Sequence, residues 1–307
     1  MTADQDDPLS RYEGLVEDYG AFRAACERPL PMVVRVNTIK ADIDRAIAAL
    51  EDDGVGVDQR DWDPTLLELD TDSPGTTWPY FVGWLHGQEE VSALPMRALD
   101  PSRGERVFDV CAAPGSKTSQ IAAVMADDGL IVANDASLGR LASLRFNTER
   151  LGVTAVAVTN QDGRNYSMKP FGFETFDRVL VDAPCSCEGT VRKNPNVLEE
   201  WSESALADLG DLQAGILRRA VQVTRPGGTV VYGTCTFAPE ENEAVLDAVL
   251  DTEECRVVPF DCPLDAEPGV EEWRGTAYDS QVRNARRLYP HLNDTGGFFC
   301  ARLAVGG

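Results

Sequence analysis

Two cysteines stand in settings where a thiol can do chemistry. Cys185 lies in DAPCSCEGT (182–190) and Cys235 in YGTCTFAPEEN (232–242), each after a run of β-forming residues and inside a turn rich in Pro, Ser, Thr and Gly. A thiol in such a turn can be exposed and hydrogen-bonded, which favours the nucleophilic thiolate. Cys26, Cys111, Cys255, Cys262 and Cys300 read first as small buried hydrophobes. Cys187 forms a Cys-x-Cys pair with Cys185 that lacks the second pair of a structural zinc site, and no metal is expected. With His86 and His291 the only histidines, Ser-His-Asp and multi-His metal chemistry are poorly supplied. Eight cysteines in 307 residues are too sparse for a disulfide scaffold, so a reducing compartment is expected.

A second set of polar residues follows strands further upstream. DVCAAPGSKT (109–118) puts small residues and Gly115 at a strand-to-helix turn, where backbone amides can approach a ligand. It is neither GxGxxG nor a phosphate loop, because Ser116 separates Gly115 from Lys117 and no earlier Gly stands in the turn. Asp135 closes the next strand, 26 residues after Asp109, where a carboxylate can accept from ribose hydroxyls. Gln161-Asp162-Gly163 follows the third strand. Asp135 and Asp162, each taken alone, read first as a helix cap or turn residue. Three consecutive acid-tipped strands together point to a nucleoside site.

These residues need a scaffold that presents strand ends on one edge. From about Gly87 the pattern alternates: helix 88–99, strand 106–111, helix 116–126, strand 130–134, helix 138–151, strand 155–159, strand 176–183, helix 203–223, strand 228–234, helix 239–250 and a closing strand 297–303. Several strands are continuous Val/Ile/Leu runs, which indicates a doubly wound, mostly parallel α/β sheet covered on both faces. Ligands of such sheets bind beyond the carboxyl ends of the strands. Upstream, strand 32–39, helix 41–54 closed by Gly54, and strand 66–69 suggest a small N-terminal α+β domain. Residues 1–94 carry 7 basic and 20 acidic residues, net −13, against −10 for the rest; the expected division is 1–94 and 95–307.

The usage is globular, 43% hydrophobic and 26% charged. No apolar run reaches the roughly 18 residues of a membrane helix; the run near Ile121–Ala133 is cut by Asp127 and Asp128. The acidic start MTADQDD does not resemble a secretory signal, so a cytoplasmic protein is expected. Net charge is −23, with 29 Asp, 22 Glu, and only four Lys among 28 basic residues. That balance reads either as a protein that repels nucleic acid or as adaptation to molar salt, where screening tolerates a dense acidic surface. The near-absence of Lys favours the second, a halophilic chain.

Taken together these motifs resemble the NOL1/NOP2/Sun family of S-adenosylmethionine-dependent RNA cytosine carbon-5 methyltransferases. RVNTIK (35–40) and HGQEEVSAL (86–94) resemble its N-terminal and domain-entry motifs, DVCAAPGSKT its cofactor loop, DAPCS and YGTCT its cysteine motifs, and RRLYPHLNDTGGFFCA (286–301) its C-terminal motif. The resemblance implies a class I methyltransferase (Rossmann-like) sheet and S-adenosylmethionine as cofactor. It assigns Cys111, Ala112, Ala113, Pro114, Gly115, Ser116 and Lys117 to the methionine end, Asp135 with Arg140 to the ribose, and Asp162 to the adenine. Asp182 is implied to lie between cofactor and base, Cys235 to be the nucleophile, and Cys185 to assist product release. Family members often have Gly where this chain has Cys187, and what that side chain touches is left open.

The implied chemistry suits these residue types. Carbon 5 of cytosine is a poor nucleophile until a thiolate adds at carbon 6. A free thiol near pKa 8.5 is only a few per cent ionised at neutral pH, so the site should favour the thiolate. The base must be single-stranded or extruded; RNARRLYPH (283–291) is the first cationic candidate for the RNA backbone, with an ordinary helix surface as its alternative reading, and Arg192-Lys193 is the second. An archaeal, tRNA-type enzyme acting as a monomer is expected, with ribosomal RNA as the alternative substrate. A non-catalytic RNA-binding assembly factor is the alternative of another class, disfavoured because both cysteines and the motif acids are present. DNA methylation is disfavoured by the TCT motif at 234–236.

Overall fold

Residues that alternate across a strand bury opposite faces, and this chain supplies apolar groups for both. The computed structural model describes residues 7–199 and 201–306. In chain order its strands are β1 (Val33–Val36), β2 (Val57–Gln59), β3 (Leu66–Leu69), β4 (Leu85–Gly87), β5 (Arg106–Asp109), β6 (Leu130–Asn134), β7 (Val156–Thr159), β8 (Phe176–Asp182), β9 (Thr224–Thr234), β10 (Cys255–Val258), β11 (Glu267–Pro268), β12 (Glu272–Trp273), β13 (Thr276–Ala277), β14 (Arg286–Leu288) and β15 (Phe298–Val305). The α-helices are α1 (Tyr19–Cys26), α2 (Ile43–Asp52), α3 (Trp78–Phe81), α4 (Pro95–Leu99), α5 (Ser116–Val124), α6 (Leu138–Leu151), α7 (Glu203–Gln222), α8 (Glu243–Leu250) and α9 (Pro290–Asn293). Among the described residues no helix is long and apolar enough to cross a membrane.

The large sheet has the order β11-β14-β15-β9-β8-β5-β6-β7, with β10 beside β15. β7 through β9 along this order are parallel, and β15 returns antiparallel to β9. From β5 the chain winds outward through β6 and β7, then crosses to β8 and β9. The switch point between β5 and β8 opens a crevice at their carboxyl ends. Phe108, Val132, Val179, Val181, Tyr232 and Phe299 pack one core with Ile216, Leu217, Ala220 and Val221 of α7. Their strand neighbours Val107, Ile131, Leu180, Val231 and Cys300 pack the other with Ile121 and Ala122 of α5. The period-2 split across the same strands makes a two-faced central layer. Truncating a core side chain such as Leu180 to Ala costs about 2–5 kcal/mol through lost transfer energy and a cavity.

The smaller sheet, order β2-β3-β1-β4, is antiparallel and packs Val34, Val36, Leu67 and Leu85 against Ala46 and Leu50 of α2. Arg35, between the two valines, is fully buried on the opposite face and donates to Gln88 (2.7 Å) and to Ser119 of α5 (2.8 Å). Asn37 donates to the Leu151 carbonyl (2.7 Å) and Lys40 to the Arg150 carbonyl (2.7 Å), so RVNTIK fastens this sheet to the large one. Within 1–94 only residues 33–87 contribute to the small sheet. Leu9, Tyr12, Phe22 and Cys26 instead join Val191, Phe237 and Tyr289 of the larger part.

Several elements differ from the sequence-based expectation. Helix 88–99 is a 3-10 turn (Glu90–Ala93) followed by α4, because Pro95 lacks the N–H that a continuous helix needs. Helix 239–250 begins only at Glu243. The basic stretch 283–291 is not a helix surface, and of its three arginines only Arg283 is exposed. It runs through a 3-10 turn, β14 and the start of α9, and Arg287 is buried in an ion pair with Glu243, held there as a permanent charge. Arg192 is also buried, donating to the carbonyls of Arg28 (3.1 Å), Pro29 (2.6 Å) and Thr295 (2.8 Å). Of that pair only Lys193 is exposed.

Candidate active site

Five strand ends meet at the crevice. After β5 the chain turns through Cys111–Pro114 to Gly115, whose φ of +106 is a glycine conformation and whose pro-Cβ position lies 3.0 Å from Leu144. The turn enters α5, whose first-turn amides have no partners within the helix. Asp109 is completely buried beneath it: Oδ2 accepts from Thr118 (2.6 Å), Oδ1 has no partner, and burial pushes its carboxyl up to about 7. Asp135, also buried, accepts from the amides of Ala113 (3.3 Å) and Ser137 (2.8 Å) and forms an ion pair with Arg140 (3.2 Å). Asp162 caps a 3-10 turn (Gly163–Asn165) and grips Arg164 at 2.6 Å; that hydrogen bond holds its carboxyl below the usual range.

Lys117 stands in the loop that resembles the family's cofactor motif, and its ammonium reaches across to Asp182 at the end of β8, 2.8 Å away. Burial works against the Lys117 charge, but Asp182 outweighs it and lifts the ammonium above its ordinary range. Asp182 uses Oδ2 for this bond and is about a third exposed, at 34%.

The two cysteine motifs converge. Cys185 Sγ is 3.3 Å from Cys235 Sγ and 3.8 Å from Cys187 Sγ. Hydrogen bonds from Cys185 and Cys235 stabilise charge on Cys187 and pull its thiol down. Hydrogen bonding to Cys187 and Cys235, then burial, push Cys185 up. Cys235 gains from its bond to Cys185, but the bond to Cys187 and burial outweigh that and raise it.

Sequence reasoning missed what holds this cluster. Ser186 donates through its amide (3.0 Å) and hydroxyl (2.5 Å) to buried Glu241, which Gln213 of α7 also contacts (2.8 Å). Buried Glu188 accepts from Tyr12 (2.7 Å), Thr236 (2.8 Å) and the Phe237 amide (3.3 Å), tying the chain's first turn to both cysteine motifs. Gly189 donates to the Cys235 carbonyl (2.9 Å) and accepts from Gly297 (2.8 Å); a Cβ on Gly189 would lie 2.4 Å from the Gly297 oxygen. The one legible signal was the density of Ser, Thr, Glu and Gly around the cysteines. His86 contacts Ser116 of α5 (2.8 Å), and burial beside Arg35 and Arg150 pushes its imidazole down to about 3, so it is a neutral strut. A cleft of about 610 Å³, lined by Arg35, Trp62, Gln120 and Asp261, lies apart from these strand ends.

Comparison with known proteins places this geometry in context. The family described as 16S rRNA methyltransferase RsmB/F matches residues 96–304. The tRNA (cytosine(49)-C(5))-methyltransferase of Pyrococcus abyssi is 35% identical over 298 residues, covering 96% of this chain and 94% of that protein. The ribosomal RNA small subunit methyltransferase F of Aeromonas hydrophila is 38% identical over 293 residues, covering 92% of this chain but only 59% of that protein. A solved methyltransferase homologue from Pyrococcus horikoshii, 34% identical, superposes with a TM-score of 0.84 over 96% of this chain and 93% of its own.

Proposed function

The chain belongs to the 16S rRNA methyltransferase RsmB/F family, and from that premise we propose that it methylates carbon 5 of cytosine in RNA, with Cys235 as nucleophile and tRNA as substrate. One observation carries the reading: two thiols 3.3 Å apart, brought from different strand ends, next to a carboxylate held by a buried lysine. S-adenosylmethionine, when bound, supplies an electrophilic methyl group. Its nucleoside suits the carboxylates of Asp135 and Asp162, and its amino-acid end suits the turn Cys111–Lys117 above Asp109, whose buried Oδ1 lacks a partner. Asp135 is already ion-paired with Arg140, so a ribose would share that carboxylate or displace the arginine.

Asp182, anchored through Oδ2, keeps Oδ1 to accept from the cytosine amino group. The Cys235 thiolate adds to carbon 6, and the electron pair so released makes carbon 5 nucleophilic. After methylation Cys185, in its thiolate form, takes the carbon-5 proton, and the electron pair of that carbon–hydrogen bond becomes the double bond between carbons 5 and 6. The carbon–sulfur bond then breaks, its electrons return to Cys235 as thiolate, and the ring becomes aromatic again. The distance between the two sulfurs suits attack and release in sequence without a change of fold.

Identity over nearly the full length of the Pyrococcus abyssi tRNA enzyme supports tRNA as substrate. The test is methylation of tRNA and ribosomal RNA from a deletion strain by purified protein, mapped by bisulfite sequencing. A cytosine protected in tRNA only with enzyme is expected; protection confined to ribosomal RNA overturns the substrate, and none in either overturns the activity.

A further inference from the structure

The attack-and-release chemistry uses two thiols, yet the turn carries a third. Cys187 has φ 62 and ψ 19, a left-handed conformation in which glycine is the less strained residue. This conformation folds the side chain back over its own turn: Cys187 Sγ donates to the Cys185 carbonyl at 3.2 Å. Cys235 arrives from another strand and is docked through the Gly189 amide. All three Sγ atoms lie within 4.8 Å of one another, and each cysteine is half-buried. The Cys-x-Cys pair alone has no zinc-site spacing; the fold supplies the missing ligand.

We propose that Cys185, Cys187 and Cys235 form a binding site for a thiophilic cation of the zinc class, with water as fourth ligand, and that loading it silences the enzyme. A tetrahedral site with zinc–sulfur bonds of 2.3 Å holds its sulfurs about 3.8 Å apart. The observed spacings of 3.3 Å and 3.8 Å, with the third pair no wider than 4.8 Å, bracket that value. An all-sulfur set excludes calcium and magnesium, which take oxygen ligands. Binding forms three metal–sulfur bonds and releases three thiol protons to solvent, with no change of oxidation state. Since attack requires a free Cys235 electron pair, occupancy and catalysis exclude each other. The silencing rests on the methylation reading; the site itself rests on the three sulfurs.

The test uses the full chain reduced with a phosphine and titrated with Co²⁺, then Zn²⁺, without RNA. One Co²⁺ per chain is expected, with strong thiolate-to-cobalt charge-transfer absorption that one equivalent of Zn²⁺ bleaches. Cys187→Gly, suited to the backbone there, and Cys235→Ser should each weaken binding at least about 100-fold, beyond the loss of an outer-shell partner. Cys262→Ser should leave binding unchanged, and thermal melts check that each variant folds. Absorption without charge transfer, or Cys187→Gly binding as tightly as the parent, overturns the proposal. Zn²⁺ should also stop methylation, and a chelator restore it. Tight thiolate binding in a protein that methylates no RNA overturns the methylation reading alone.

Discussion

Removing Cys185 should trap the enzyme on its RNA. The Cys185 sulfur is 3.3 Å from the Cys235 sulfur, within reach of the same base, so its loss removes the proton acceptor for the release step and leaves the attacking thiol in place. General acid–base assistance of this kind contributes about 10²–10⁴-fold. An elimination running at roughly 1 s⁻¹ then acquires a half-life between about a minute and about two hours. That outlasts a denaturing quench, and a covalent protein–RNA band should survive electrophoresis. Cys187 lies within 4.8 Å of Cys235 and offers a second acceptor, so Cys185→Ala/Cys187→Gly should trap more than Cys185→Ala alone. Cys235→Ala and Cys185→Ala/Cys235→Ala should give no band and no methylation. A band in Cys235→Ala would reverse the two roles. No band in either Cys185 variant, with turnover intact, would refute the release step and leave Cys185 as packing under the turn.

Asp135→Ala should weaken S-adenosylmethionine binding by ~1.5–3 kcal/mol, roughly 10- to 100-fold, because a charge-assisted acceptor is lost; unchanged affinity by calorimetry would remove Asp135 from the site. Asp109 titrates at about 7 in the fold against 3.8 ordinarily, so the fold favours its protonated form. Its contribution is present below about pH 4 and is lost as pH rises toward about 7. Asp109→Asn should therefore melt progressively higher than the parent across that interval, a difference of a few kcal/mol by pH 7; a constant difference would refute the burial argument. At a net charge of −23 the acidic surface repels itself in dilute buffer, so the melting temperature should rise from 0.1 toward 2 M KCl. A flat or falling curve would sink the reading as a salt-adapted protein.

What the sequence determined by itself was local. Apolar runs placed β6 at 130–134 and α6 at 138–151 to the residue, because a strand buried on both faces and a helix ended by a glycine leave strong one-dimensional patterns. The same patterns put Asp109, Asp135, Asp182 and Cys235 at strand ends, and motif order pointed to the chemistry. Contacts between distant segments left no such trace. Lys117 meets Asp182, 65 residues away, and Glu188 meets Tyr12, 176 residues away, only because the switch point and the first turn bring them together. Arg287 and Arg192 looked like cations for RNA because charge in a sequence carries no burial; the fold spends them on Glu243 and on backbone carbonyls. Cys187 was the least legible residue. Its Cys-x-Cys spacing says nothing about Cys235, and only a left-handed backbone at 187 and the docking of two turns through Gly189 bring three sulfurs together. Spacing along the chain specifies elements, whereas distances between side chains depend on how those elements pack.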